Sequence, residues 1–316
     1  MNLKNLSNIL SQEPQYRYQQ AYQALWRDFI SSWQELSTFP QSLRTKLEAA
    51  CPLTIKAELV EKPVFAKQQQ ALISLEDGEK VMTSLAITGK EEVVVYLASQ
   101  VAAPNFYGLS LKPGLKTKRN LQAEEIIEQL VFWERYLKEN KPTNKINRII
   151  LAGMGEPLLN VKEVVRALKF MNNPETLGKG WRRLGIVTTA PATGLKKLAS
   201  AKLPISLNIS LLASNDELRR DLEATASSPI YDLFKAIDFY LQQGGRQVNL
   251  SYVLLKNIND QDLAIQQLIK LLSNRSAYQL KLIAPQSFGP FTFTSPERVL
   301  KLKDQLAAAK IILPNK

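Results

Sequence analysis

The side chains best suited to catalysis are scarce in this sequence. Among its 316 residues there is one cysteine, Cys51, and there is no histidine. Histidine is the most frequent general base and metal ligand in enzymes, so both roles lose their usual side chain. A single thiol excludes an internal disulfide and any site with several thiolate ligands. We interpret Cys51, at the end of a helical stretch, as a small buried apolar residue.

Basic residues outnumber acidic ones. The chain has 41 Lys and Arg against 29 Asp and Glu, and its net charge of +12 favours a polyanionic partner such as a nucleic acid. Two clusters are candidate RNA-binding sites: Lys112, Lys116, Lys118 and Arg119 form the first, and Lys179, Trp181, Arg182 and Arg183 form the second. Trp181 is available to stack on a base or ribose. The alternatives are solvated loops and a tryptophan that packs against the core.

Glu156 is the acidic residue whose setting most suggests chemistry. It lies in the segment 153–160, Gly-Met-Gly-Glu-Pro-Leu-Leu-Asn, directly after an apolar, β-branched run. One interpretation is a carboxylate that contacts a ligand. The other is structural, with Glu156 capping a loop or pairing with a nearby lysine.

The elements that position these residues fall into three regions. Residues 1–52 form a helical module, in which apolar residues recur at spacings of three and four between positions 18 and 36, and a second helix begins near Pro40. Residues 53–92 are β-rich, with a turn at 76–79 between two strands. Residues 93–316 alternate strand and helix and should form one domain.

The alternation has a regular order. Apolar runs predict strands at 93–97, 146–152, 184–189, 205–211, 248–255 and 280–283; amphipathic stretches predict helices at 122–139, 161–172, 193–201, 230–243, 260–273 and 296–309. Six strand–helix units in succession imply parallel strands with right-handed crossovers. Periodicity alone leaves an open sheet and a partial barrel as alternatives.

Several segments, in order, carry a resemblance to one enzyme family. The segment 99–110 with the basic run 116–121, the segment 153–160, and the segments 177–183 and 208–219 resemble the radical S-adenosylmethionine enzymes that methylate C2 of adenine in 23S rRNA and tRNA. The resemblance spans nearly the whole chain. It implies a partial (βα)6 TIM-like barrel of the radical S-adenosylmethionine type, with a small N-terminal helical module. Active residues in such barrels lie at the carboxyl ends of the strands.

The sequence departs from this family where the family does its chemistry. Ala103, Tyr107 and Ser110 stand at the positions of the three cysteines that hold the iron–sulfur cluster. Alanine has no ligand atom, and neutral hydroxyls are poor substitutes for thiolates. Tyr96 stands at the position of an additional active-site cysteine, and residues 1–316 contain no match for the methyl-carrying cysteine of the family's C-terminal tail. We therefore expect no [4Fe–4S] cluster, no other metal and no catalytic residue.

The cofactor pocket implied by the resemblance is also reduced. Gly155, Glu156 and Ser210 keep the residue types that bind S-adenosylmethionine in the family, whereas Val187 and Leu212 replace a serine and a histidine. Each lost polar contact leaves a ligand group unpaired, at a cost of about 1–3 kcal/mol. We expect binding of S-adenosylmethionine to be weak at most, and the three retained residues to be vestigial.

We interpret the chain as a catalytically degenerate homologue of these methyltransferases that binds rRNA or tRNA. Two alternatives stay open: a divergent RNA methyltransferase that uses S-adenosylmethionine, and a protein-binding scaffold that regulates an intact paralogue. The sequence has no apolar run of membrane-spanning length, and its first residues lack the apolar core of a signal peptide. A cytoplasmic location without a membrane partner is the expectation.

Overall fold

A computed structural model describes residues 3–63, 68–88, 92–102, 105–106, 109–110, 117–222, 228–246, 248–273, 278–284 and 292–313. The candidate residues Ala103, Tyr107, Lys112 and Lys116 lie outside these ranges. Ser110 belongs to a short hairpin, Asn105–Phe106 with Leu109–Ser110, that is described by its backbone alone. Within the described ranges, no helix combines the length and apolar composition needed to cross a membrane.

Nine strands form one sheet whose spatial order follows the chain. They are β1 (Ala57–Leu59), β2 (Gln68–Ser74), β3 (Lys80–Thr88), β4 (Glu92–Leu97), β5 (Ile146–Leu151), β6 (Leu184–Thr188), β7 (Ser206–Ser210), β8 (Val248–Val253) and β9 (Tyr278–Ile283). Strands β1 to β4 pair antiparallel, and β4 to β9 pair parallel. The six parallel strands are the six predicted from the apolar runs, which confirms the partial (βα)6 barrel.

Helices connect and cover the parallel strands. They are α4 (Ala123–Asn140), α5 (Val161–Asn172), α6 (Ala192–Ser200), α7 (Asp216–Leu222), α8 (Ile230–Gln242), α9 (Asp262–Leu272) and α10 (Pro296–Ala308). The short helix α7 was not predicted, and the other six match the amphipathic stretches. Alternate strand residues such as Ile209, Leu250 and Leu280 are buried in the same core as the helix residues Ile237 and Leu268. The hydrophobic core therefore lies between the helices and the outer face of the sheet.

The N-terminal module contains α1 (Leu3–Leu10), α2 (Gln15–Trp26) and α3 (Gln41–Ala50). The prediction of a continuous helical stripe to residue 36 was wrong, because α2 ends at Trp26 and Phe29 takes a positive φ of 51°. A 3-10 turn then starts at Ser32, whose side chain and that of Glu35 form a capping box. These local hydrogen bonds compete successfully with continuation of the helix.

Buried polar contacts join this module to the barrel. The Arg135 guanidinium, on α4, donates to the Leu53 carbonyl at 2.7 Å and to the Ile30 carbonyl. The Trp26 ring packs edge-on against Phe170 of α5, with centroids 5.0 Å apart. The module therefore covers the helical layer on one side of the barrel. The predicted domain limits at residues 52 and 92 stay a prediction.

Candidate functional site at the carboxyl ends of the strands

The loop after β5 places Glu156 among hydrogen-bond donors. Its Oε1 accepts from the Leu158 amide at 2.9 Å and from the Thr188 hydroxyl, and its Oε2 accepts from the Thr189 amide at 2.8 Å and hydroxyl at 2.9 Å. Glu156 is the N-cap of a 3-10 turn, Pro157–Asn160. Two donors on each oxygen fill the ordinary acceptor capacity of a carboxylate.

Burial governs the electrostatics of this carboxylate. Glu156 is 5% exposed, and desolvation raises its pKa, although the bonds from Thr188, Leu158 and Thr189 oppose the rise. Among the described residues, no lysine or arginine forms an ion pair with Glu156. Of the two structural roles predicted for Glu156, the structure therefore has the loop cap and not the ion pair.

Gly155 brings the same loop against the end of β4. Its φ is +85°, and a Cβ added there would lie 2.5 Å from the Cβ of Gln100. The Gln100 side chain accepts from the Glu156 amide at 2.7 Å and donates to Asn120 at 2.8 Å. Asn160 Nδ2 donates to the carbonyls of Ser99 and Leu121, at 2.8 Å each. The Gly-Met-Gly-Glu-Pro segment therefore ties together the loops that follow β4, β5 and β6.

Two further polar residues are buried, one at the carboxyl end of β7 and one on the helix that follows it. Ser210, at the end of β7, is fully buried, and its hydroxyl has no hydrogen-bond partner among the described residues. Arg219, on α7, is 2% exposed and donates to the Thr189 carbonyl at 3.1 Å. Sequence reasoning did not single out Arg219, although it ends the segment 208–219 on which the family resemblance partly rests. Its bond to Thr189 places a buried cation beside the residue that binds Glu156.

The first basic cluster is partly neutralised by acidic residues. Lys118 pairs with Glu79 at 2.9 Å, and Arg119 pairs with Glu125 at 2.8 Å and with Asp77 at 2.6 Å. These carboxylates raise the pKa of Arg119, and Arg119 lowers the pKa of Asp77. Both cations follow β4, so they lie at the carboxyl end of the barrel. RNA contact by Lys118 and Arg119 stays a prediction.

The second basic cluster lies at the opposite end of the strands, because its residues immediately precede β6. Lys179 forms a half-buried ion pair with Glu134 at 2.5 Å, and Trp181 is partly buried and packs against the core. Arg182 and Arg183 are exposed, and neither has an ion-pair partner among the described residues. The structure therefore does not bring the two predicted basic clusters together.

Comparison with known proteins identifies relatives of this chain. No protein-family profile matches it. It is 31% identical over 293 residues to a probable dual-specificity RNA methyltransferase RlmN of Syntrophomonas wolfei, covering 90% of this chain and 82% of that protein. It is 29% identical over 311 residues to the dual-specificity RNA methyltransferase RlmN of Lawsonia intracellularis, covering 95% and 86% respectively.

A solved structure agrees with these relatives. A radical S-adenosylmethionine methyltransferase from Sphaerobacter thermophilus superposes with a TM-score of 0.86 and 27% identity, covering all of this chain and 93% of that chain. The strand order, the position of the 153–160 loop and these similarities agree. The chain belongs to the RlmN family of radical S-adenosylmethionine RNA methyltransferases, as a degenerate member whose one cysteine lies outside the segment that matches the cluster loop.

Proposed function

We propose that this chain is a non-catalytic member of its family that acts by binding RNA. The main observation in support of a loss of radical chemistry is the cysteine content of the chain. Cys51 is the one thiol in 316 residues, and it is fully buried in the N-terminal module, where its carbonyl accepts from the Trp33 indole at 2.8 Å. A cluster of this class is held by several thiolates, which these residues do not supply. Within the described ranges, no group of three or more His, Cys, Asp and Glu residues could hold a metal ion.

The hydrogen bonds of Glu156 support weak cofactor binding at most. Members of the family use this Gly-Glu pair to meet the amino group of S-adenosylmethionine. Here, four protein donors already occupy the Glu156 carboxylate. An ammonium group would have to displace one of them, and a displaced buried amide costs about 1–3 kcal/mol. The retained Gly155 and Glu156 have structural roles that do not require the cofactor.

The charge distribution supports RNA as the partner. The net charge of +12 supplies sequence-independent attraction for phosphates. Arg182 and Arg183 are exposed, unpaired among the described residues, and adjacent to the partly buried Trp181 ring. This pair is the strongest candidate contact among the predicted basic residues that the structure describes, because Lys118, Arg119 and Lys179 already have acidic partners.

Crosslinking of the tagged protein to RNA in cells, with sequencing of the recovered RNA, tests the proposal directly. We expect discrete enrichment on ribosomal RNA or on particular tRNAs. If RNA is recovered only at background level and a partner protein stays bound after nuclease treatment, RNA binding is wrong and the protein-binding scaffold function is favoured. Anaerobic reconstitution with iron and sulfide should give no iron–sulfur charge-transfer absorption. The spectrum of a stoichiometric [4Fe–4S] cluster would contradict the proposal and would indicate that the chain is a radical enzyme.

A binding titration identifies the contact surface. Fluorescence anisotropy with the recovered RNA should give a log Kd that rises with log salt concentration. The double substitution Arg182→Gln with Arg183→Gln should weaken binding and reduce that slope by about 1–2, since each phosphate contact contributes about 1. Lys196→Gln with Lys197→Gln is the matched control, because these lysines are exposed on α6 without ion-pair partners among the described residues. Equal loss in both double variants would reject the Arg182–Arg183 surface.

A further inference from the structure

Basic residues lie at the end of the barrel where its parallel strands begin. Strands β5, β6, β7 and β8 are neighbours in the sheet and run parallel, so their amino ends share one edge. The loops that lead into these four strands contain five basic residues, which we call the amino-end basic rim: Lys145 before β5, Arg182 and Arg183 before β6, Lys202 before β7, and Arg246 before β8.

The charges of the rim are available to a partner. All five side chains are exposed, and none forms a hydrogen bond or an ion pair with the part of the chain that the structure describes. Glu92, Glu139 and Glu175 also lie toward this end of the barrel, but within the described ranges none of them pairs with the rim. Five cations that no bonded carboxylate offsets create a local positive potential, which attracts polyanions.

The opposite end of the barrel has the reverse charge. Six of the seven barrel helices carry an acidic residue in the first turn, namely α4, α5, α7, α8, α9 and α10. These first turns follow the carboxyl ends of the strands. A helix N-terminus otherwise attracts phosphate through its N–H groups and its dipole. Here carboxylates lie at those helix ends and repel phosphate, so a polyanion is favoured at the rim and disfavoured at the carboxyl ends.

The dimensions and residue types of the rim favour duplex RNA. Its four strand starts span about 14 Å, since neighbouring strands lie about 4.8 Å apart. A nucleic-acid duplex has one phosphate per about 3.4 Å on each strand, so the rim can contact several consecutive phosphates. Binding of single strands normally adds aromatic side chains on which bases stack. The exposed aromatic residues among those described, Tyr16 and Tyr231, lie at the starts of α2 and α8 and not in the rim, and Trp181 packs against the core.

We propose that the amino-end basic rim binds the phosphate backbone of duplex RNA. This inference rests on the proposed RNA-binding function, and it specifies the form of the RNA and the end of the barrel that the RNA contacts. Active residues of such barrels lie at the carboxyl ends of the strands, so RNA bound at the rim lies on the opposite side from the family's catalytic end. Phosphate contacts carry no direct base information, so the rim recognises duplex shape and charge rather than sequence.

Fluorescence anisotropy with two RNA duplexes of about 16 base pairs and unrelated sequence tests the rim. Both duplexes should bind the full chain with equal affinity, and more tightly than their separated strands. Lys202→Gln with Arg246→Gln removes two rim cations and should reduce the slope of log Kd against log salt concentration by about 1–2. Lys256→Gln with Arg220→Gln is the matched control, because these residues are exposed near the carboxyl ends of the strands. It should leave the slope unchanged.

Photocrosslinking from two defined positions tests which end of the barrel faces the RNA. Ser200 and Thr193 are exposed at opposite ends of α6, with Ser200 toward the rim and Thr193 toward the carboxyl ends of the strands. The native thiol, Cys51, is fully buried and therefore protected, so a benzophenone maleimide should label only the cysteine introduced by Ser200→Cys or Thr193→Cys. Crosslinks to a bound duplex should form in Ser200→Cys and not in Thr193→Cys.

Four results would overturn the rim: an unchanged salt slope in Lys202→Gln with Arg246→Gln, an equal change in the carboxyl-end control, tighter binding of the separated strands, or crosslinks from Thr193→Cys alone. If RNA binds and any of these results is found, the rim is wrong and the RNA-binding function stands. If duplexes bind through the rim but crosslinking in cells recovers no RNA above background, the rim stands and the proposed function fails. The substituted side chains are exposed, so every variant should keep a melting temperature near that of the parent chain.

Discussion

Substitution of Gly155 by alanine tests whether the Gly-Met-Gly-Glu-Pro segment is retained for structure. Gly155 has a φ of +85°, and a Cβ there would lie 2.5 Å from the Cβ and 2.8 Å from the Oε1 of Gln100. Gln100 must move to relieve this overlap. Its Oε1, which accepts a hydrogen bond from the Glu156 amide at 2.7 Å, then moves away from that amide. The variant therefore combines backbone strain with a buried amide that has lost its acceptor.

The expected loss of stability follows from these two contributions. A non-glycine residue in the left-handed region costs about 1–2 kcal/mol. A buried amide without an acceptor costs a further amount of about 1–3 kcal/mol. Gly153 is the matched control, because its φ is +99° and a Cβ there would meet nothing within 4 Å. Gly153→Ala should carry only the cost of the left-handed backbone. Gly155→Ala should therefore be less stable than Gly153→Ala by about 1–3 kcal/mol, the cost of the buried amide.

The free energy of unfolding of both variants can be measured by urea denaturation, monitored by circular dichroism in the absence of any ligand. We expect Gly155→Ala to unfold at a clearly lower urea concentration than Gly153→Ala. Gln100→Ala combined with Gly155→Ala should be less destabilised than the sum of the single substitutions, because both act on the same amide. Equal stability of the two glycine variants would refute the structural explanation and would favour retention of the segment for ligand binding.

The remaining predictions concern two other buried groups, Glu156 and Arg135. Glu156→Gln should destabilise the fold by about 1–3 kcal/mol, because a glutamine amide brings two N–H protons into a site lined by four donors, one more than the protonated carboxyl group brings. Burial raises the folded-state pKa of Glu156 above its ordinary 4.5, so its contribution is complete below pH 4.5 and shrinks as pH rises through the folded pKa. The stability gap to Glu156→Gln, from urea unfolding, should therefore be larger at low pH than at high pH. Arg135→Met should cost about 2–4 kcal/mol in the same assay, since the Leu53 and Ile30 carbonyls lose their donor. Limited proteolysis of Arg135→Met should also cut the N-terminal module sooner, because this guanidinium joins the module to α4.

Each of these predictions has a control. A stability gap for Glu156→Gln that does not change with pH would contradict the raised pKa. Lys138→Met is the matched control for Arg135→Met, because Lys138 lies on the same helix and donates from an exposed position to the Asp28 carbonyl at 2.7 Å. It should change stability by less than about 0.5 kcal/mol. Equal effects of Arg135→Met and Lys138→Met would remove the special role of the buried guanidinium.

The sequence by itself determined the six strand–helix units and the shortage of reactive side chains. Hydrophobic period and turn residues are local properties, so they placed all six parallel strands within two residues of their observed ends. Residue identity alone likewise removes the thiolates that a cluster would need. The end of helix α2 at Trp26 was missed because the apolar stripe continues beyond it while the backbone changes direction at Phe29.

Only the tertiary structure decided what the candidate site residues contact. Glu156 accepts hydrogen bonds from Thr188 and Thr189, which lie more than thirty residues later in the chain. Lys118 pairs with Glu79, which precedes β4 in the sequence whereas Lys118 follows it. No local pattern encodes such partners, because they depend on which strand ends the barrel brings together. The barrel likewise places Lys118 and Arg119 at the carboxyl ends of its strands and Arg182 and Arg183 at the opposite ends. Short-range preferences fix the elements, whereas long-range packing fixes which groups are satisfied and which stay available to a ligand.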